Sequence, residues 1–283
     1  MGNVIGSNIA NLFLIISLCA IIKPLVIKKE TKYIENQIVI LCTGVFYLIV
    51  NNNGAISRYE GIALLLMCLL YIFYNIVMAK VGVGLEYEKA SAEIENNENN
   101  EKIIENQVED KRVSQTNNEI KEKRYNELKN SLTYSIIQII IGIIGLKFGG
   151  DFVVDNAVLI AESLGISEKL ISLTIVAFGT SLPELITCIS ATRRDESDLA
   201  IGNIIGSQIF NILLIVGLSA TVAPIQGVIG YIDELTILLI GNIIFAILPF
   251  IGQKDKIGRV SGFAFVSFYI VYMINLVFSI WKF

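Results

Sequence analysis

The sequence predicts an all-α, polytopic membrane protein built from inverted repeats, and three observations support this prediction. Of the 283 residues, 54% are hydrophobic, and the mean hydropathy is +0.65, so the chain is far more apolar than a soluble domain needs to be. Residues 2–24 recur at residues 202–224 with 12 identities in 23 positions and no gap. Five predicted membrane crossings separate the two copies. Because this number is odd, the copies enter the membrane in opposite orientations.

Eight apolar runs are long enough to cross a bilayer as helices of about 20 residues. They lie near residues 4–22, 36–52, 60–79, 132–164, 168–192, 199–222, 233–252 and 260–281. The run at 36–52 is the weakest of them. The run at 132–164 is too long for one perpendicular helix with a rise of about 1.5 Å per residue. We therefore expect it to be strongly tilted, or broken near Gly149 and Gly150.

A polar segment separates the two halves of the chain. Twelve of the 26 acidic and eight of the 22 basic residues lie between Glu86 and Lys129, so this segment accounts for the net charge of −4. Its Glu, Asn and Lys content is typical of a solvated connector, and it lacks the ligand spacing of an EF-hand calcium loop. We expect three parts: an incomplete first repeat of three helices at 1–79, a polar linker at 80–131, and a complete second repeat of five helices at 132–283.

The distribution of basic residues predicts how the chain is oriented. If the linker is cytoplasmic, three other connections fall on the same side as the linker. They carry Lys23, Lys28, Lys29, Lys32, Arg193, Arg194, Lys254, Lys256 and Arg259. The opposite side receives only Arg58, Lys169 and Lys282. This bias follows the positive-inside rule and places the 80–131 linker in the cytoplasm.

Residues 179–184 read Gly-Thr-Ser-Leu-Pro-Glu inside an otherwise apolar run. A carboxylate at membrane depth is costly, so Glu184 is a candidate functional residue. Pro183 cannot donate a backbone hydrogen bond and therefore predicts a kinked or unwound turn. Thr180 and Ser181 add hydroxyl oxygens. Together with the carboxylate they form a set of hard oxygen ligands, which suits Ca²⁺ or Na⁺.

The repeated motif supplies the second half of this predicted site. Ser207 and Asn211 are four residues apart, so they lie on one side of a helix and can meet Glu184 across a helix pair. Inverted repeats with broken helices at the membrane midplane are the architecture of secondary transporters. We therefore expect the two copies of Gly-Asn-x-Ile-Gly-Ser to build one shared site.

The composition argues against most enzyme classes. The chain has no histidine, which excludes His-based zinc hydrolysis, Ser-His or Cys-His catalysis, haem ligation and His proton relays. The four cysteines, Cys19, Cys42, Cys68 and Cys188, are scattered singly through apolar runs. They lack the paired spacing of a zinc site or a disulfide framework. We expect neither an enzyme nor a resident cofactor, and no nucleic-acid partner.

Residues 179–184 and 202–207, with the second Gly-Asn-x-Ile-Gly-Ser at 2–7, resemble the alpha repeats of the calcium:cation antiporter superfamily, and most of all those of prokaryotic sodium/calcium exchangers. The resemblance covers nearly the whole chain. It implies a fold of ten helices in two inverted halves, of which this chain has eight, in a prokaryotic cell membrane. It also implies that alternating Na⁺ and Ca²⁺ sites are lined by Glu184, Thr180, Ser181, Ser207, Asn211, Ser7 and Asn11.

The sequence departs from the family pattern in two ways. The second copy is preceded by residues 132–201, whereas Gly2 is preceded only by Met1. The chain is therefore expected to begin midway through its first repeat, without the glutamate that would face Glu184. One carboxylate leaves a Ca²⁺ site short of negative charge. Asn11 and Asn211 occupy positions of which one is often aspartate in the family, which bears on the number of coupled ions and on proton involvement.

The sequence alone leaves several functional hypotheses open. The leading hypothesis is an antiporter in which Na⁺ and Ca²⁺ compete for one oxygen cage that faces alternate sides of the membrane. A proton- or potassium-coupled Ca²⁺ exchanger is an alternative, because the fold does not determine the counter-ion. An incomplete, non-transporting membrane protein is another. For single residues, Glu184 could pair with a Lys or Arg, Thr180 and Ser181 could only pack, and Asn211 could only link helices.

Overall fold

The computed structural model describes residues 1–28, 31–101, 165–251 and 255–278, and all residues from 136 to 163 except 143, 146, 150, 153, 154, 157, 161 and 162. The described chain is mainly helical. Its α-helices are α1 (Gly2–Ala10), α2 (Ile16–Ile22), α3 (Asn36–Asn53), α4 (Arg58–Glu101), α5 (Ile136–Gly149), α6 (Glu168–Ile171), α7 (Ala177–Thr180), α8 (Leu182–Arg193), α9 (Ser197–Phe210), α10 (Gly217–Val222), α11 (Ile232–Ile247) and α12 (Arg259–Phe278).

Short π-helical and 3-10 segments extend or connect these α-helices. The π-helical segments are Thr31–Glu35, Asn11–Ile15, Ser172–Val176 and Asn211–Val216, and the 3-10 segments are Val228–Tyr231 and Leu248–Phe250. Two short strands, β1 (Leu25–Val26) and β2 (Lys256–Ile257), pair antiparallel.

The structure confirms six of the eight predicted membrane spans, and a seventh if a bent pair of helices is taken as one span. Six helices of the described chain are long and apolar enough to cross a membrane: Gly2–Ile22, Thr31–Asn53, Arg58–Lys80, Ser197–Val222, Val228–Phe250 and Arg259–Phe278. A bent pair, Lys169–Thr180 with Leu182–Arg193, accounts for the seventh. The predicted run at 132–164 lies partly outside the described residues, and so does its predicted break, which falls on residue 150.

The two copies of the repeat have the same local structure. In the first, α1 changes to π-helix at Asn11, and in the second, α9 changes to π-helix at Asn211. Both copies then return to α-helix and end in an extended residue, Lys23 in one and Ala223 in the other. An added residue in a helical turn often marks a functional site, because it re-aims the neighbouring side chains. The offset of 200 residues therefore relates structures as well as sequences.

Contacts between connections show that the two copies run in opposite directions. The segment that follows α2 pairs with β2, and its Lys28 forms an ion pair of 2.9 Å with Asp198, at the start of α9. Hence α1–α2 ends on the side where α9 begins. On the other side, Ile56 pairs with Ile225, just after α10. The connections predicted to share the cytoplasmic side therefore lie together, as the inverted repeat requires.

The first repeat helix lies at the centre of the described fold. In the most apolar window of Gly2–Ile22, 78% of residues are buried, compared with 11% for Arg58–Lys80. Small residues allow its neighbours to approach closely. A Cβ at Gly262 of α12 would lie 2.8 Å from the backbone oxygen of Ser17. Phe13 fills the adjoining space against Phe265 and Phe268, with ring centroids 5.2 and 4.8 Å apart.

The polar linker begins as helix. Because α4 continues to Glu101, the first part of the segment predicted at 80–131 is a helical continuation of a membrane span, which its Glu, Lys and Ala content favours. Residues 102–135 lie outside the described chain. The chain divides into two compact units, Met1–Leu69 with Phe148–Phe283 and, separately, Leu70–Lys147. The division at residues 79 and 131 stays a prediction.

Candidate functional site

The predicted break in the helix at 168–192 is present. Helix α7 ends at Thr180, Ser181 has φ −91° and ψ 0°, and α8 begins at Leu182 with Pro183 in its first turn. The two parts differ in direction by 42°. Proline is well suited to the first turn of a helix, where its missing N–H leaves no hydrogen bond unmade. The break thus brings Glu184 into the first turn of a new helix, where the helix dipole stabilises a negative charge.

Glu184 is linked by hydrogen bonds to both copies of the repeat. The Ser207 hydroxyl donates to Glu184 Oε1 over 3.1 Å, and Asn11 Nδ2 donates to the same Ser207 oxygen over 3.4 Å. Asn11 is fully buried. The sequence prediction that Ser207 meets Glu184 across a helix pair is therefore confirmed. Asn11 of the first repeat is thus linked through Ser207 to the carboxylate of Glu184 in the second repeat.

A second group of oxygens lies around Thr180. Its Oγ1 lies 3.0 Å from Ser7 Oγ and 2.9 Å from Asn3 Oδ1, and Ser7 Oγ lies 3.2 Å from the same Asn3 oxygen. Ser7 also donates to the backbone oxygen of Ala177 over 3.3 Å. The structure therefore joins Thr180 of one repeat to Ser7 of the other. Thr180 is exposed in the described chain, whereas Ser7 is buried.

The side-chain hydrogen bond of Asn211 goes to the first repeat and not to Glu184. Asn211 Nδ2 donates to Asn8 Oδ1 over 2.9 Å, and Asn8 Nδ2 donates to the backbone oxygen of Gln208 over 3.3 Å. The sequence prediction placed Asn211 near Glu184 and Ser207. Its hydrogen-bond partner is instead Asn8 of the first repeat. The reason is that α1 packs against α9 and against the π-helical segment that follows it, which brings each copy of the motif against the other.

Four buried oxygens in this region have no hydrogen-bond partner among the described residues: Asn11 Oδ1, Ser181 Oγ, Glu184 Oε2 and Gln208 Oε1. A buried acceptor that receives no hydrogen bond costs about 1–3 kcal/mol of folding free energy. No described Lys or Arg lies within ion-pair distance of Glu184, because the ion pairs of the described chain involve other carboxylates. The alternative in which Glu184 is a paired structural acid therefore has no support in the described residues.

The oxygen-bearing side chains of this region are one carboxylate, Glu184, and several neutral hydroxyls and amides. The described residues contain no group of three or more His, Cys, Asp or Glu side chains placed to hold a metal. Neutral hydroxyl and amide oxygens around one carboxylate instead suit hard cations that bind and leave. We call the side chains of Asn3, Ser7, Asn8, Asn11, Thr180, Ser181, Glu184, Ser207, Gln208 and Asn211 the oxygen cluster.

Sequence reasoning missed three members of the oxygen cluster: Asn3, Asn8 and Gln208. Asn8 and Gln208 occupy matched positions at the offset of 200, and both are buried polar residues in apolar helices. This match could have identified Asn8 and Gln208 from the sequence, because polar side chains buried in apolar helices need hydrogen-bond partners. Asn3 has its own matched residue, Asn203, which instead donates to Cys188 Sγ over 3.6 Å.

Comparison with known proteins identifies the family. The model of the sodium/calcium exchanger protein family matches residues 1–77 and 134–278. These two ranges cover most of the chain and include every member of the oxygen cluster. The chain belongs to the sodium/calcium exchanger family. As a family member it is an integral membrane protein of the cation-exchange transporter class, with the inverted-repeat transporter fold.

Prokaryotic relatives of this exchanger-family chain cover most of its length. It is 32% identical to membrane protein MJ0091 of Methanocaldococcus jannaschii over 98% of this chain and 76% of that protein. It is 30% identical to inner membrane protein YrbG of Escherichia coli over 98% and 76% of the two chains. Sodium/calcium exchanger MaX1 of Methanosarcina acetivorans is 33% identical over 53% of this chain. The chain spans about three quarters of the first two relatives' length.

The fold of this family member also matches a solved structure. The sodium-calcium exchanger NCX_Mj, in crystals soaked with Na⁺ and Sr²⁺, superposes with a TM-score of 0.66 and 26% sequence identity. The match covers 96% of this chain and 75% of that one. The predicted fold class and the predicted family are both confirmed.

Proposed function

We propose that this chain exchanges Ca²⁺ for Na⁺ across the membrane by alternating access, with the oxygen cluster as the shared ion site. The ions are substrates, and the proposal needs no resident cofactor. The family relationship supports cation exchange, and the name of MaX1 supports the choice of sodium and calcium. The seven residues predicted from the sequence are the proposed ligands, with Asn8 and Gln208 as additional candidates.

One observation carries the proposal. The buried Oε2 of Glu184 has no described partner, and it lies in a region where three other buried oxygens are also without a hydrogen-bond donor. A group of unsatisfied acceptors with one negative charge, contributed by both repeats, is costly without a cation and is stabilised by one. A structural polar network would instead be expected to satisfy its own members.

Competition for one site explains coupling without a separate energy source. If Na⁺ and Ca²⁺ both need Glu184, they cannot occupy the site together, so one ion must dissociate before the other can bind. The inverted orientation of the repeats allows the same cluster to face either side as the two halves rock. The chain needs only two states of similar free energy, between which the bound ion shifts the population.

The proposal is tested with purified protein in sealed vesicles loaded with Na⁺. Ca²⁺ uptake should begin when the outer Na⁺ is diluted, and should not begin when Na⁺ is replaced by K⁺ on both sides or when only a pH gradient is applied. If a K⁺ gradient or a pH gradient drove Ca²⁺ uptake, the coupled counter-ion would be K⁺ or H⁺ and not Na⁺. Absence of Ca²⁺ uptake under all three gradients would contradict transport by residues 1–283.

Charge balance leads to a prediction for Asn211. Because Glu184 neutralises only one of the two charges of Ca²⁺, the variant Asn211→Asp should raise Ca²⁺ affinity, by about tenfold for one added charge-assisted ligand. Na⁺ affinity should rise less, since its charge is half as large. Calcium-dependent thermal stabilisation of the purified protein measures this without flux. Asn52→Asp, in an exposed position outside the cluster, is the control, and equal effects of the two variants would place Asn211 outside the site.

A further inference from the structure

A cavity of about 670 Å³ lies away from the oxygen cluster, where the end of α2, the end of α11 and the start of α12 meet. Its polar lining is formed by Lys256, Arg259 and Ser261, and its apolar lining includes Ile251 and Val260. The cavity faces the side that the positive-inside pattern assigns to the cytoplasm. We propose that it binds the headgroup of an anionic phospholipid.

The charge of the cavity favours an anion. Lys256 and Arg259 are both exposed, and neither forms an ion pair with a carboxylate of the described chain. The acid nearest in sequence, Asp255, forms an ion pair of 2.7 Å with Lys32, whose Nζ also lies 4.0 Å from the centre of the Phe250 ring. Two cationic side chains therefore line one cavity without a compensating described acid.

The apolar part of the cavity favours a lipid over a soluble anion. Val260 and Ile251 are 84% and 67% exposed, and Phe263, one turn further along α12, is 57% exposed. These side chains lie at the ends of two membrane spans, Val228–Phe250 and Arg259–Phe278, so their exposed surfaces face acyl chains. Basic side chains at this depth reach towards the interface, where phospholipid headgroups lie. A basic pocket between helices on the cytoplasmic side is typical of anionic-lipid sites.

The position of the cavity couples it to the first repeat helix. Pro24 forms part of its wall, directly after α2, and Leu25 pairs with Ile257 in the two-stranded sheet. A bound headgroup would thus join the end of the helix that carries Asn11 to the α11–α12 hairpin. Lipid binding itself does not depend on ion transport, so the inference stands apart from the proposed function.

The experiment measures retained lipid by native mass spectrometry, after the purified chain is mixed with vesicles of phosphatidylglycerol or of phosphatidylcholine. We expect retention of phosphatidylglycerol and little retention of phosphatidylcholine. The double variant K256Q/R259Q should bind phosphatidylglycerol about 25-fold more weakly, because each basic residue near the headgroups contributes about a fivefold change. The matched control is R193Q/R194Q, which removes the same charge from two exposed residues of the same side.

Three results would overturn the inference. One is equal retention of the two lipids, and another is an equal loss in both double variants, which would indicate only a general surface attraction. The third is displacement of phosphatidylglycerol by millimolar inorganic phosphate, since the cavity would then bind a soluble anion. Loss confined to K256Q/R259Q, without displacement by phosphate, supports the lipid site whether or not the chain transports ions.

Discussion

Glu184→Gln is expected to lower Na⁺-driven Ca²⁺ uptake by at least about 100-fold, equivalent to about 2.7 kcal/mol. Glutamine keeps the size of the side chain and one oxygen that can accept from Ser207, which lies 3.1 Å from Glu184 Oε1. The helix break at Ser181 should therefore persist. What the variant removes is the charge, and the other described members of the oxygen cluster are neutral. Initial uptake rates in vesicles measure the effect.

The control for this variant is Glu60→Gln. Glu60 is another carboxylate at a helix start, and it accepts hydrogen bonds of 2.8 and 2.7 Å from the N–H and hydroxyl of Ser57. Glutamine can act in the same capping box, so the fold should be retained and uptake should stay within about twofold of wild type. Ca²⁺-dependent thermal stabilisation provides a second measurement. If Glu184→Gln retained both uptake and stabilisation, the carboxylate would not be an ion ligand.

Gly6→Ala is expected to destabilise the folded protein by about 1–3 kcal/mol. A Cβ at this position would lie 2.7 Å from Ala177 Cβ and 2.8 Å from the backbone oxygen of Leu173. Neither neighbour can rotate away, because one is a short side chain and the other is backbone. The helices of the two repeats would have to separate, and with them Ser7 and Thr180. Thermal unfolding in detergent measures the loss of stability.

The matched residue of the second copy is the control. Around a Cβ at Gly206, no described atom lies within 4 Å outside its own helix, and the same holds at Gly202. Gly206→Ala should therefore be neutral, or stabilise the helix by up to about 1 kcal/mol, since alanine is the better helix former. Equal destabilisation by the two variants would contradict the difference in packing between Gly6 and Gly206.

Patterns local to the sequence predicted much of the fold. The bounds of seven spans agree with the structure within a few residues, because hydropathy over about 20 residues decides what can cross a bilayer. The kink before Pro183 followed from the missing N–H of proline. The π-helical turns at Asn11 and Asn211 were not predicted. They depend on which partner each turn packs against, and periodicity does not report that.

The sequence by itself predicted the apolar spans, the inverted repeat and the candidate oxygen side chains, since these follow from composition, spacing and the offset of 200 residues. Only the tertiary structure decided which oxygens meet. Asn211 bonds Asn8 and not Glu184, and Gly6 is tightly packed whereas Gly206 is open. The physical reason is that matched segments have different neighbours: the described chain sets a Gly-Thr-Ser-Leu-Pro-Glu helix against α1, and it sets no such helix against the corresponding face of α9.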